Sequence, residues 1–591
     1  MSQPRQEDVY DKVVDLGRRR GFFWPSYEIY GGVAGFYDIG PLGFAVKRKI
    51  IELWRRKFVF ERQDFVVEIE TPVVAPSIVF EASGHVESFT DPIVRCRKCG
   101  RVFRADHLVE EVLKVSAEGL SVQELTAKIR ENKIKCPVCG GELSDVETFN
   151  LLFRTQIGPY EGSVGYLRPE LAQGMFTSFK RVLESMRGRL PIGIAQVGRV
   201  ARNEISPRQG MIRLRDFTIM EMELFFDPKS SECPGLDKVL DRMVVVRRYE
   251  DRLAGKEPVM LSVSELIKRG VVVHPCMALW MAVGLDYLSQ LGIGAEEAFF
   301  EEKGPHEKAH YATQVFDLLV KSSRWGWVEV AGFAYRGDYD LSRHMKYSGQ
   351  DLQVFEPYKE PIVVKSKKVV VDRAYVGRTF REASTEVIRT LEGMSPDYVE
   401  TQLKEKGSVT VKGVEVPATA IRVIEIEEKV SGRKFIPHVV EPSFGIDRLL
   451  YIVLERSYRE REGRVILSIP RHLAPIDAAV FPLVEGDERL SREAVRLREL
   501  LVSEGFTVIY DDVGSIGKRY ARVDEIGVPA AFTVDYRTLE DGTVTMRDRD
   551  TWEQVRLRLE DAPSALRKFI YNRAEIKSLG EPVTKGEGEV A

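Results

Sequence analysis

The sequence predicts an α+β protein: a sheet-based core with helices and insertions, followed by a separate C-terminal α/β domain. Three observations predict it. The 591 residues exceed what one ordinary hydrophobic core organises. Two strand-like stretches, 192–204 and 212–226, are joined by a turn bearing Pro207 and Gly210, so they read as neighbours in one sheet. From Ile476 onward, strands alternate with helices over about 100 residues, close to the commonest domain size. Hydrophobic residues at 44% exclude a largely disordered chain. The 87 Lys+Arg against 90 Asp+Glu leave a net charge of −3, so any nucleic-acid contact must be a local patch rather than a global basic field.

Residues 8–21 and 41–60 carry helical apolar spacing, the second stretch opening on Gly40-Pro41 with proline in a favourable first turn. FVVEIETPVVAP (65–76) reads as a strand stopped by Pro72. Between Glu87 and Gly158 the pattern breaks into two Cys pairs and a polar helix at 121–133, a small inserted module. Residues 230–310 and 358–430 mix helix and strand signals without recognisable chemistry and read as insertions. The C-terminal domain is expected as strand IDAAVF, helix 487–503, strand FTVIYDD, helix 515–525, strand PAAFTVD, then VTMRD, EQVRLRL and a closing helix. The tail 578–591 lacks apolar pattern and is expected to fray. No stretch approaches the roughly 18 apolar residues of a membrane span, and MSQPRQEDVYDK has no signal region, so a cytoplasmic protein without a membrane partner is expected.

Side chains on a strand alternate faces. In QVGRVARNE, Arg202 and Glu204 share a face; in MIRLRDFTIMEMELFF, one face collects Arg213, Arg215, Phe217, Ile219, Glu221 and Glu223. Arginines match phosphate oxygens bidentately and an aromatic ring offers a surface for a base, so this face suits a nucleotide; a half-solvated strand would show the same alternation. In HVVEPSFGIDRLLYIVLE, a strand leads through Gly445 into a helix with Arg448 in its first turn, where a cation opposes the helix dipole. Local rules broken in this way mark functional sites.

Four of the six cysteines stand as Cys96-x-x-Cys99 and Cys136-x-x-Cys139. Four thiolates close a tetrahedral shell and leave no position for substrate, which is the pattern of structural Zn²⁺. Cys233 and Cys276 are unpaired in sequence and are expected to be buried, inert thiols.

Taken in order, GPLGFAVKRKIIELWRRKF with ETPVVAP, VARNEISPRQGMIRLRDF, and EPSFGIDRLL resemble motifs 1, 2 and 3 of class II aminoacyl-tRNA synthetases. YLRPELAQGMF, FRADHL, RNEISPR and EPSFG narrow the resemblance to the archaeal and eukaryotic-like dimeric glycyl-tRNA synthetases, over nearly the whole chain. The resemblance implies an antiparallel-sheet catalytic core in 1–87, 159–229, 311–357 and 431–474. It adds a zinc-binding insertion at 88–158, insertions at 230–310 and 358–430, an anticodon-binding domain at 475–577 and a flexible tail at 578–591.

The same resemblance implies ATP, glycine and tRNA(Gly) as substrates, Mg²⁺ accompanying ATP, and a homodimer formed through motif 1. Arg202 and Glu204 would hold the α-phosphate and the adenine end, Arg213 the outer phosphates, Phe217 the adenine face, and Arg448 the γ-phosphate, with Glu329-Val330 bordering the site. Asn203, Ile212, Leu214, Arg215, Asp216 and Gly445 complete the implied ATP set. Glu170, Glu221, Glu441 and Ser443 would surround the glycine ammonium, with Arg336 and Arg104 at its carboxylate. Carboxylates in RVIEIEEKV could help to hold Mg²⁺, but a solvated charged face is the favoured reading for them. One departure is Leu171, where the family motif RPETAQG has threonine.

Overall fold

The computed structural model describes residues 8–583, apart from 116, 118, 160, 161, 208 and 412. Residues 584–591, most of the tail expected to fray, lie outside the described residues. The chain divides into two compact units, 8–352 with 437–583, and Gln353–Ile436.

The first unit is built on a nine-stranded sheet. Its strands are β1 (Val66–Glu68), β2 (Ile192–Ala201), β3 (Asp216–Phe226), β4 (Met243–Arg247), β5 (Val259–Ser262), β6 (Ala298–Glu302), β7 (Gln314–Ser322), β8 (Gly326–Gly337) and β9 (His438–Gly445). They lie in the order β5-β4-β6-β7-β8-β9-β3-β2-β1. Only β1–β2 and β4–β6 pair in parallel; the other contacts are antiparallel. The centre of the sheet, β8-β9-β3, is made of segments far apart in sequence, which no local pattern reveals.

Helices packed around this sheet include α1 (Val9–Arg20), α2 (Pro41–Phe58), α3 (Ala172–Ser185), α4 (Pro275–Gln290), α5 (Tyr339–Ser348) and α6 (Ile446–Ser457). Asp8 caps α1 by accepting from the Asp11 N–H, and Gly21 ends it in the left-handed conformation at φ 75°. Proline at the first turn of α2 matches the expectation. Helix α2 buries Trp54 and Phe58, which stack with ring centroids 5.2 Å apart, and Phe58 stacks in turn on Trp280 of α4.

The structure corrects several expectations. Residues 230–310, read as an insertion, extend one edge of the main sheet with β4, β5 and β6 and supply the largely buried α4. The strand expected to stop at Pro72 already ends at Glu68 as β1, and a second short strand, Val74–Pro76, follows the proline. Strands β2 and β3 stop at Ala201 and start at Asp216, so Arg202, Glu204, Arg213 and Arg215 lie on the connection rather than on the strands. Cys233 and Cys276 are joined in a disulfide that ties the segment after β3 to the first turn of α4. Glu581–Pro582, inside the expected tail, adds a short edge strand to the C-terminal sheet.

The inserted module pairs Thr90–Arg95 with Val102–Arg104 and Glu147–Asn150, and clusters Leu125 and Ile129 of the helix Val122–Glu131 with Val94 and Leu108. That helix opens with a reciprocal capping box between Ser121 and Glu124. The C-terminal sheet follows the expected alternation through Ala478–Pro482, Val508–Tyr510, Ala530–Val534, Thr543–Asp548 and Gln554–Arg558. Lys49 of α2 joins this domain to the core, donating to Asp477 at 2.7 Å.

The second unit is a long hairpin, Val354–Val371 with Ile421–Phe435, and three helices over a core containing Val376, Leu391, Val399 and Val409. The RVIEIEEKV carboxylates Glu425, Glu427 and Glu428 lie exposed on its second strand.

Candidate functional site

A cavity of about 560 Å³ opens on the face of the sheet formed by β3, β9 and β8. Its volume falls within the range of small-molecule sites. One end is cationic and aromatic. The Arg202 guanidinium lies 5.5 Å over the Phe217 ring and donates to Pro169 O at 3.1 Å. Glu204 stands 3.9 Å from Arg213. Arg448, in the first turn of α6, donates to Ile212 O at 2.9 Å and pairs with Glu329 at 3.5 Å. These bonds to carbonyl and carboxylate oxygens hold a cation where the helix dipole disfavours it.

The other end is a buried carboxylate cluster set by strand register. Ser443 lies opposite Glu221, and Glu441 lies opposite Ala334, two residues before Arg336. Glu221 is 2% exposed; one of its oxygens accepts from the Ser443 hydroxyl at 2.7 Å, the other from the Leu171 and Ala172 N–H groups at 2.7 and 3.1 Å. Burial, with Glu441 and Glu170 close by, pushes Glu221 up to about 8. Burial acts on Glu170 in the same direction, yet Arg336 and His85 hold it well below the usual carboxylate range. Glu223, one alternation beyond Glu221, has both oxygens buried without a hydrogen-bond partner, and desolvation with Glu441 nearby drives it well above that range. A neutral acid is what such a position tolerates.

Most of the expected residues meet here. Arg202, Glu204, Ile212, Arg213, Leu214, Phe217, Glu329, Val330, Gly445 and Arg448 line the cavity, as do Glu170, Glu221, Glu441 and Ser443. Five others do not line it. Arg336 is buried behind the carboxylates, bonded to Glu441 at 3.0 Å, Asp340 at 2.8 Å and Glu170 at 3.4 Å, with its guanidinium 3.7 Å over the Tyr311 ring. Arg104 sits in the inserted module, paired with Asp91 at 3.1 Å and with Asp106. Arg215 spends its donors on Glu204 O and Ala34 O, Asp216 pairs with Arg199, and Asn203 is held through its N–H to Leu151 O. The departure at Leu171 costs no bond at Glu221, because that contact comes from the Leu171 backbone.

Sequence reasoning missed His85, Lys303, His310, Tyr311 and Asp317, all of which line the cavity. Lys303 reaches Asp317 at 3.3 Å, and burial with Glu329 adjacent raises Asp317 to about 7. Lys303, His310 and Tyr311 follow β6, in or next to the stretch taken for an insertion, where no motif flags them.

In the inserted module, the sulfurs of Cys96, Cys99, Cys136 and Cys139 all lie within 4.8 Å of one another, with Cys96–Cys139 at 3.5 Å and Cys99–Cys136 at 3.8 Å. A tetrahedron with metal–sulfur bonds of about 2.3 Å has edges of about 3.8 Å, so the four thiols fit one zinc ion.

The fold is shared with a prolyl-tRNA synthetase from Cryptosporidium parvum, at TM-score 0.51 and 13% identity over 96% of this chain and 76% of that one. Residues 477–569 match the anticodon binding domain family. A sheet of this topology, followed by that domain, defines a class II aminoacyl-tRNA synthetase. Within that class, the chain is 61% identical to the glycine--tRNA ligase of Aeropyrum pernix, across 98% of this chain and 99% of the relative. It is 48% identical to that of Pyrococcus furiosus, across 95% and 99%. The chain belongs to the glycine--tRNA ligase family.

Proposed function

We propose that the protein activates glycine with ATP to give glycyl-adenylate and pyrophosphate, then transfers the glycyl group to the 3′ end of tRNA(Gly). The observation that carries this reading is the division of one cavity into a cationic, aromatic end and a carboxylate end. Glycine presents only an ammonium and a carboxylate to bind, and the carboxylate end suits the first.

In this reading Phe217 stacks on adenine, while Arg213 and Arg448 take the outer phosphates. Glu221 meets the ammonium, with Glu170 and Glu441 beside it. The glycine carboxylate oxygen attacks the α-phosphorus and pyrophosphate leaves with the bonding pair. Arg202 stabilises the charge that develops on the phosphoryl oxygens, and no side chain becomes covalently attached. Mg²⁺ enters with ATP as part of the substrate. Arg336 acts on the carboxylates rather than on glycine: its bonds to Glu170 and Glu441 fix the wall that the ammonium meets.

Zinc held by Cys96, Cys99, Cys136 and Cys139 would brace the inserted module. A cytoplasmic homodimer joined through α2 and β1 completes the reading; among the described residues no helix is long and apolar enough to cross a membrane.

Charging of purified tRNA(Gly) with labelled glycine tests the assignment. Accumulation of glycyl-tRNA that requires ATP supports it, and charging by another amino acid in place of glycine refutes it.

A further inference from the structure

The buried face of α2 is apolar except at one position. Gly43, Val46, Ile50, Trp54 and Phe58 face inward, and so does Lys47, which is 5% exposed. Its ammonium donates to Asp447 Oδ1 at 2.6 Å and to Thr218 Oγ1 at 2.8 Å. The other Asp447 oxygen accepts the backbone N–H of Thr218 at 2.7 Å. Asp447 and Thr218 are 3% and 7% exposed, so the three groups form a largely desolvated knot, with Asp447 itself at the cavity wall.

Stability alone does not account for this knot. Removing an ammonium and a carboxylate from water costs several kcal/mol, and apolar side chains of similar volume usually serve a core as well or better. What distinguishes the knot is where it ties. Thr218 follows Phe217 on β3, and Asp447 precedes Arg448 on α6. Phe217 and Arg448 line the same cavity from two different elements. The knot therefore joins the segment bearing the aromatic wall to the segment bearing the outer cation, from a helix that does not line the cavity.

We propose that Lys47 is a positioning residue: it fixes the spacing between Phe217 and Arg448 and thereby sets the affinity for ATP without touching it. The inference rests on reading the cavity as the ATP site. Loss of the ammonium would free Asp447 to turn toward Arg448 or solvent, and the first turn of α6 would shift relative to β3. The carboxylate end is anchored separately, through Ser443, the α3 backbone and Arg336. The defect should therefore fall on ATP and spare glycine.

Two variants test this, in glycine-dependent exchange of pyrophosphate into ATP and in calorimetric ATP binding, both well below each melting temperature. Lys47→Met removes the charge, and Thr218→Val removes one leg while leaving the ion pair. The expected result is a KM and Kd for ATP raised about tenfold in Lys47→Met and about threefold in Thr218→Val, with the glycine KM within about twofold of wild type. If Lys47→Met does not fold, Thr218→Val decides alone. Wild-type ATP affinity in the folded variants, or ATP and glycine KM values rising in parallel, overturns the proposal. Absence of glycine-dependent exchange in the wild-type protein would instead refute the functional reading, while calorimetry still reports on the spacing.

Discussion

Glu221 of β3 and Ser443 of β9 stand opposite each other in register, and the Ser443 hydroxyl donates to Glu221 at 2.7 Å. The two N–H groups that open α3 fix the other Glu221 oxygen. One carboxylate thus joins two strands and a helix at the floor of the cavity, with its orientation set before any ligand arrives.

Glu221→Gln keeps this shape and removes the charge. Losing one partner of a largely desolvated ion pair costs about 2–5 kcal/mol, so at about pH 9, where Glu221 is ionised, the glycine KM should rise by at least about thirtyfold. The ATP KM should change little, since Phe217 and the arginines are untouched. Steady-state pyrophosphate exchange, with each substrate varied in turn, checks this; an unchanged glycine KM removes Glu221 from the site.

Titration of Glu221 gives glycine binding a pH dependence. With its carboxyl pushed up to about 8 by burial and by Glu441 and Glu170, it is protonated at neutral pH, and binding the ammonium must displace that proton. The glycine KM should therefore fall as pH rises from about 7 to about 9. In the ligand-free protein the sign is opposite. The contribution of this group to stability is full below its ordinary value of 4.5 and is lost as pH rises through about 8. Melting curves with and without glycine across this range check both signs; matching pH trends in the two would contradict them.

The four clustered thiols predict one zinc per chain. Metal analysis of the purified protein should find it, and Cys96→Ser or Cys136→Ser should release it and lower the melting temperature. A metal-free protein with four titratable thiols in this module would contradict the assignment.

The Cys233–Cys276 disulfide closes a loop across a separation of 43 residues. In the chain-entropy account, a cross-link of that span stabilises by up to about 4 kcal/mol. Cys276→Ser, or treatment with a strong reductant, should lower the melting temperature while leaving the zinc content unchanged. Mass spectrometry of a non-reduced digest should recover the linked peptides; recovery of two free thiols in the freshly purified protein would contradict the pairing.

Much of the fold was legible from local pattern, because α1, α2 and the C-terminal alternation announce themselves by period, caps and proline placement. What local pattern could not supply was register between distant segments. Ser443 meets Glu221 only because β9 inserts beside β3 more than two hundred residues later in the chain. The misplaced expectations have the same origin. Strand alternation puts Arg215 on the face of Phe217 and Glu221, and the resemblance adds Asp216; the chain leaves extended geometry between Ala201 and Asp216, and these two side chains bond to Glu204 O and Arg199 instead. Arg336 has the right charge for a glycine carboxylate, yet the carboxylates around it consume its donors. Lys303 and Tyr311 carry no signal of their own, and only the path of β6 and β7 brings them to the cavity.

In the proposed site, one end of the cavity takes ATP and the other takes glycine. Exchange of labelled pyrophosphate into ATP, measured with each of the twenty amino acids in turn, tests it most directly. Exchange that requires glycine and Mg²⁺ is expected, with alanine and serine far weaker. Exchange supported by serine or proline but not by glycine would contradict it.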